Sequence, residues 1–332
     1  MIISRTPFRI SFFGGGTDYP VWYDENGGCV LSTSINKYCY ITCRYLPPFF
    51  GYKYRIVYSL REETQGISEI KHPSVRECLA FINLDKGVEI HHDGDMPART
   101  GLGSSSSFTV GLLNALYALM GKMVTKKQLA LDAIHVEQDM IRENVGSQDQ
   151  IAAAFGGLNK VGFAKNRNIE VQPVTLNAEK LQLFQDHLML LFTGFSRTAS
   201  EIAEEQIRKT PNKSKELRDM HAMVDEAIGI LNDDKTSLDE FGKLLNESWK
   251  LKRSLTSRIS TPFIDQIYET AIRAGATGGK LLGAGGGGFM IFFVKPQLQS
   301  KVREKLKDLL CVPFKFENLG SQIIYYEPHN DF

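Results

Sequence analysis

The chain of 332 residues is long enough for two cores, and 39 Lys and Arg against 38 Asp and Glu leave a formal charge of +1. That balance gives no basis for a nucleic-acid surface or an anionic membrane partner, so any anion has to be held locally. Five cysteines, at 29, 39, 43, 78 and 311, are odd in number and form no Cys-x-x-Cys pair, which argues against a disulfide framework or a zinc site and for reduced thiols in a cytoplasm.

At the N-terminus the apolar run is too short for a signal peptide, and no later stretch approaches a membrane span. Residues 9–13 read as a strand that breaks at Gly14-Gly15-Gly16-Thr17-Asp18, and β-rich runs follow at 29–35 and 38–46. Arg9, on a strand among apolar neighbours, needs a carboxylate or phosphate opposite it. Asp18 is either an Asx turn residue or a carboxylate that accepts hydrogen bonds from the vicinal hydroxyls of a sugar. Ser74-Val-Arg-Glu77 fits a capping box and places a helix start near 75. Residues 88–90 form a short strand, and His91, His92, Asp93 and Asp95 after it suit a solvated turn better than a metal site.

The junction at 97–107 is the most informative segment. It reads Pro-Ala-Arg-Thr100-Gly101-Leu102-Gly103-Ser104-Ser105-Ser106-Ser107 and runs directly into an apolar helical face at Leu112, Leu113, Leu116 and Leu119. Glycines permit close backbone approach, hydroxyls supply oxygen ligands, and a helix starting there aims unpaired N–H groups at an anion. The segment has neither the Lys-Ser/Thr ending of the P-loop nor a third glycine, so it is a phosphate cradle of another kind.

Thr125-Lys-Lys-Gln128 opens a second capped helix that should run to about 143. In it Glu137 stands among Ile134, Met140 and Ile141, where a carboxylate is costly unless paired, metal-bound or at the edge of the stripe. Asp149 falls in the first turn of a further helix that Ser147 could cap, a position that suits a dipole-stabilising charge as well as a functional acid. The polar, aperiodic stretch 159–168 suggests a boundary between 160 and 175. Beyond it lie a strand at 188–192, capping boxes at Thr198-Ala-Ser-Glu201 and Ser237-Leu-Asp-Glu240, and an N-cap with proline at Thr261-Pro262. Arg197 sits at the start of the first of these helices, as a surface charge or an anion ligand. Eight glycines between 275 and 288 are clamped between Leu281-Leu282 and a buried strand at 289–294, so Gly285 and Gly286 imply close backbone approach to a substrate.

Three segments together resemble the GHMP small-molecule kinases: Arg5-Thr-Pro-Phe-Arg9-Ile-Ser-Phe-Phe-Gly-Gly-Gly-Thr-Asp18, the 97–107 junction, and Lys280-Leu-Leu-Gly-Ala-Gly-Gly-Gly-Gly-Phe289. The resemblance implies an α+β fold with a ribosomal-S5-like ATP-binding domain over 1–165 and a ferredoxin-like domain over 166–332. It implies that residues 100–107 wrap the phosphates of ATP, that Ser105 and Glu137 hold Mg2+, and that Asp149 is the catalytic aspartate faced by Arg9. Such a site neutralises the donor phosphates and sets the acceptor hydroxyl in line beside a carboxylate, which takes the proton or only orients the hydroxyl.

The substrate is implied by the same likeness. Galactokinases carry Glu-His where this chain has Gly15-Gly16, while the Asp18 carboxylate keeps a polyol acceptor. The opening Gly-Gly-Gly-Thr-Asp, the loop, Val145-Gly-Ser-Gln-Asp-Gln150 and Thr193-Gly-Phe-Ser-Arg-Thr198 resemble the branch that phosphorylates D-glycero-D-manno-heptose 7-phosphate at its anomeric hydroxyl. That product leads towards nucleotide-activated heptose for surface polysaccharide; fucose kinases are near relatives. On this reading Gly16, Thr17 and Asp18 meet the sugar. Its own phosphate falls to Ser196-Arg197-Thr198, with Lys53 and Arg55 as the second choice. A silent sugar-binding regulator is the rival outside catalysis, and a homodimer stays open.

Overall fold

The computed structural model describes residues 1–84, 86–194 and 199–327, and the expectations for Ser196, Arg197 and Thr198 lie outside the described residues. Two sheets organise the chain. The first begins with β1 (Ile2–Phe13), a helix α1 (Pro20–Asn26) and β2 (Gly28–Tyr45), an antiparallel pair buried along most of its length. Where the sequence suggests two runs, β2 is one strand. Pro7 pairs with Tyr38 and Phe8 with Ile35, so Asn36 and Lys37 are accommodated as a bulge rather than a turn.

The sheet continues with β3 (Tyr54–Val57), β4 (Arg61–Thr64), helix α2 (Pro73–Ile82) and β5 (Val88–Gly94). β5 carries His91, His92 and Asp93 in register with β2, so the expected turn is strand. α2 begins at Pro73 after His72, and Ser74 lies inside the helix, buried, rather than at its cap. Helices α3 (Ser104–Leu119), α4 (Lys126–His135) and α5 (Gln148–Phe155) follow, and then the hairpin β6 (Leu158–Ala164) and β7 (Asn168–Pro173). Thr125 accepts from the Gln128 amide at 3.1 Å, as its box requires, but α4 passes at Val136 into a π-helical turn, Val136–Ile141, instead of running on to 143.

The expected division at 165 falls inside the β6–β7 hairpin, because the polar stretch there is the tip of an edge hairpin; the change of sheet comes after Pro173. Helix α6 (Ala178–Asp186), β8 (Leu188–Phe192) and helices α7 (Ala199–Lys209), α8 (Ser214–Asn232), α9 (Asp239–Leu255) and α10 (Pro262–Ala274) lead to the hairpin β9 (Ala276–Leu281) and β10 (Phe289–Val294). Helix α11 (Gln299–Lys305) and β11 (Leu310–Val312) complete a second antiparallel sheet ordered β11-β8-β10-β9. Taken in chain order those strands read 4-1-3-2, the ferredoxin-like arrangement. The chain then returns: β12 (Phe316–Glu317) pairs with β2 and β13 (Gln322–Tyr326) with β1. The fold is α+β, with a mixed first sheet, in which β3 and β5 run parallel, and an antiparallel second sheet.

Candidate active site

The inner end of β1 brings Arg9 under the phosphate loop. Its Nε and Nη2 donate to Oδ1 and Oδ2 of Asp149, both at 2.8 Å, and its Nη1 donates to the Gly101 carbonyl at 2.6 Å. A bidentate pair of this kind fixes a carboxylate in direction as well as in place. Arg9 is buried, at 4% exposure, while Asp149 remains open to the cavity described below. Gly103 has φ of +75°, and a Cβ there would lie 3.2 Å from Arg9 Cγ and 3.3 Å from Asp149 Oδ2, so the loop rests directly on the pair.

Helix α3 starts at Ser104, and no side chain caps it. Its first-turn amides are therefore left without a side-chain cap beside Gly101 and Gly103, which suits them to an anion. The hydroxyls divide. Ser107 donates inward to Pro7 O at 2.9 Å and Thr100 to Pro97 O at 2.8 Å, and Leu102 is wholly buried. Of the eight residues expected to wrap phosphates, Thr100, Leu102 and Ser107 thus shape the loop from behind.

The second glycine loop meets the first backbone to backbone. A Cβ on Gly101 would lie 2.3 Å from Leu282 O, and one on Gly283 would lie 2.4 Å from Gly101 Cα. Gly283 and Ala284 line the cavity, whereas Gly285 and Gly286 turn against Ile259, with Gly286 N donating to Ile259 O at 3.0 Å. The close approach expected of Gly285 and Gly286 is therefore to the protein's own chain.

Between these loops and the turn after β1 lies a cavity of about 240 Å³. Asp18, only 2% exposed, receives the Gly16 amide at 2.8 Å and the Gln148 side-chain amide at 2.9 Å; burial nonetheless pushes its carboxyl above the usual carboxylate range. Thr17 is not among the residues that line the cavity: its hydroxyl shares one proton between Gly14 O and Cys29 O and accepts from the Cys29 amide, which locks the glycine turn. Gly16 does line it. Ser11 and Gln148 also line it, and the buried Ser11 Oγ and Gln148 Oε1 have no hydrogen-bond partner among the described residues.

Two buried lysines complete the wall. Lys252 on α9 donates to Leu281 O at 3.2 Å and Gly283 O at 2.5 Å, and Lys280 on β9 donates to Phe12 O at 2.9 Å. Burial, with Arg9 beside it, lowers Lys252 to about 8; burial and the Lys252 charge lower Lys280 as well. Sequence reasoning missed both, although each leaves a trace: Lys252 interrupts the apolar stripe Leu245, Trp249 and Leu255, and Lys280 sits in a strand buried from Gly278 to Leu281.

Glu137, in the π-helical turn, is fully buried. Its Oε2 accepts from Ser106 Oγ at 2.8 Å and from the Gln150 side chain, while Oε1 has no partner among the described residues; the nearby Thr109 hydroxyl donates to Ser105 O instead. Burial first, then the charge of Glu143, raises its carboxyl to about 7. The partner the structure gives Glu137 is thus Ser106 and not Ser105, whose hydroxyl points to Glu143 at 3.4 Å, because one residue along a helix turns a side chain by about 100°. Arg55 is committed to Glu89 and Tyr52, and neither it nor Lys53 lines the cavity.

The model of the GHMP kinases N terminal domain matches residues 68–157, and that of the GHMP kinases C terminal matches residues 221–310. The chain is 30% identical over 315 residues to a D-glycero-alpha-D-manno-heptose 7-phosphate kinase of Campylobacter jejuni, covering 89% of this chain and 90% of that one. It is 26% identical over 350 residues to an L-fucokinase/L-fucose-1-P guanylyltransferase of Bacteroides fragilis, spanning 93% of this chain but 36% of that one. A solved D-glycero-D-manno-heptose 1-phosphate kinase from Bacteriodes thetaiotaomicron shares the fold with a TM-score of 0.77 at 24% identity, covering 98% of this chain and 99% of that one. The arginine-held aspartate beneath a glycine-serine loop and these matches lead to one conclusion: the chain belongs to the GHMP kinases and is a sugar kinase, a phosphotransferase with ATP as donor and an alcohol as acceptor.

Proposed function

We propose that the chain transfers the γ-phosphoryl group of ATP to the anomeric hydroxyl of D-glycero-D-manno-heptose 7-phosphate, giving the 1,7-bisphosphate for nucleotide-activated heptose. The observation that carries this reading is the placing of Asp149, held by Arg9, and Asp18 in the wall of one cavity under the start of α3. Ser11 and Gln148 in the same wall add polar residues beside Asp18 that suit an acceptor rich in hydroxyls. Asp149 takes the hydroxyl proton or orients the hydroxyl, and the amides of the first turn of α3 bind the donor phosphates. The heptose 7-phosphate kinase from Campylobacter supports the choice of sugar.

Mg2+ fits the residues present. The donors are hydroxyl and carboxylate oxygens, Glu137 Oε1 is buried without a partner, and no cluster of three His, Cys, Asp or Glu side chains occurs among the described residues. A cation that shares its ligands with phosphates needs no protein cage. Glu137 with the Ser105 or Ser106 hydroxyl would hold it, and it would neutralise phosphate charge.

ADP release with magnesium ATP and a panel of heptose 7-phosphate, the unphosphorylated heptose, fucose and galactose tests the assignment. We expect kcat/KM for heptose 7-phosphate to exceed that for fucose by about 100-fold or more, with phosphorus NMR showing a new anomeric phosphate. Fucose turned over equally well would replace this reading with the fucokinase one, which the Bacteroides fragilis relative favours. ATP-dependent turnover of none of the sugars would favour a silent regulator.

A further inference from the structure

Lys252 stands in the buried stripe of α9, between Trp249 and Leu255, at 6% exposure. A methionine would fill the same space without the cost of burying an ammonium group, so packing does not account for a lysine there. Its hydrogen bonds supply a reason. Both go to the backbone of the second glycine loop, at Leu281 O and Gly283 O. That loop touches the phosphate loop with no side chain between them, since a Cβ on either Gly101 or Gly283 would collide with the other loop. Gly101 in turn accepts from Arg9, which holds Asp149 by two bonds. A continuous line of contacts therefore runs from Lys252 through Gly283, Gly101 and Arg9 to Asp149.

We infer that Lys252 is a positioning residue for phosphoryl transfer: its ammonium pins the 281–283 backbone to the phosphate loop and so keeps Arg9 and Asp149 in the geometry the transfer needs. The inference rests on Asp149 being the acid beside the acceptor. The charged groups that act on the ammonium come from four elements: Arg9 on β1, Asp18 in the glycine turn, Asp149 on α5 and Lys280 on β9. Two of them repel it and two attract it, and its two bonds to carbonyls are charge-assisted only while it carries its proton.

The test compares wild type with Lys252→Met, Lys252→Arg and Asp149→Asn, using ADP release with magnesium ATP and the sugar of the panel above that gives the highest rate. We expect Lys252→Met to lose about 100-fold in kcat with the KM for ATP changed less than about threefold, and Lys252→Arg to recover at least about tenfold of that loss. Wild-type kcat should fall on the alkaline side near pH 8, the region to which burial lowers Lys252, and the Arg variant should carry this limb more than about one pH unit higher. A Met variant within about threefold of wild type, an Arg variant no faster than Met, or an alkaline limb shared by wild type and Arg each overturns the inference. If the Met variant shows no thermal transition, the pH comparison of wild type with Arg decides. Asp149→Asn at the wild-type rate would remove the reading of Asp149, whereas a slow Asn variant beside a fast Met variant removes only the role of Lys252.

Discussion

Glu137 shows how one side chain serves two demands. Folding encloses a carboxyl that has two donors on one oxygen and none on the other, and the nearby Glu143 adds like charge. The folded protein therefore holds a proton that the unfolded chain would release: the carboxyl titrates near 7 in the fold and near 4.5 outside it. Between those values the native state binds more protons, so this group favours folding fully below pH 4.5 and loses that contribution as pH rises through 7. In magnesium-free buffer, Glu137→Gln should lie within about 1 kcal/mol of wild type in urea stability at pH 5 and exceed it by up to about 3 kcal/mol at pH 8. Parallel stability curves for the two proteins across that range would show that the carboxyl is not held neutral. A buried acid that resists ionisation by itself is also one that a cation would recruit by displacing its proton.

At the scale of elements, the two glycine loops are the parts that cannot be exchanged. Gly283 has φ of +73°, and a methyl group there would meet Gly101 Cα at 2.4 Å. Gly283→Ala should therefore cost about 2 kcal/mol in stability and lower kcat/KM about 100-fold, because the loops have to part. Gly162→Ala, where a Cβ meets nothing within 4 Å, is the control and should change kcat/KM less than twofold. Equal losses in both would show that the contact between the loops is not what matters.

Much of this region was legible in the sequence because each feature breaks an apolar pattern: an arginine in a strand, glycines clamped between strands, hydroxyls at a helix start, a glutamate in a stripe. What stayed hidden has physical causes. Whether Ser105 or Ser106 faces Glu137 depends on a helical phase that the sequence does not carry, since a four-serine run looks the same in every phase. Thr17 and Asp18 are neighbours with opposite fates, one locking its turn and one lining the cavity, and only tertiary contacts with Cys29 and Gln148 separate them. Lys252 and Lys280 carry ordinary residue types whose cost becomes visible once their elements are buried. The return of β12 and β13 to the first sheet pairs residues more than 280 and more than 310 positions apart, respectively, which no local pattern encodes.

For the molecule as a whole, that return links the end of the chain to the site. After β11 leaves the second sheet, the segment carrying Gly320 and Ser321 passes along α5, the helix that presents Asp149. Ser321 N donates to Ala153 O at 2.8 Å, and the Ser321 hydroxyl meets Thr6 on β1 and Asn114 on α3 at 2.8 and 3.0 Å. One residue thus ties together the strand of Arg9, the phosphate-loop helix and the aspartate helix. Gly320 lies so close that a Cβ would stand 2.0 Å from Ala154 O. Gly320→Ala cannot be absorbed by a side chain, because the obstacle is backbone, so α5 or the C-terminal segment has to shift. Thermal denaturation should show a loss of about 2 kcal/mol, and kcat should fall about tenfold with it, since small displacements of a reacting group are expensive. A fall in stability with unchanged kcat would mean that α5 keeps its place without the C-terminal segment and that Arg9 alone holds Asp149. Retained kcat and retained stability would mean that the segment yields, and that the closure of the first sheet by β13 leaves the aspartate helix unaffected.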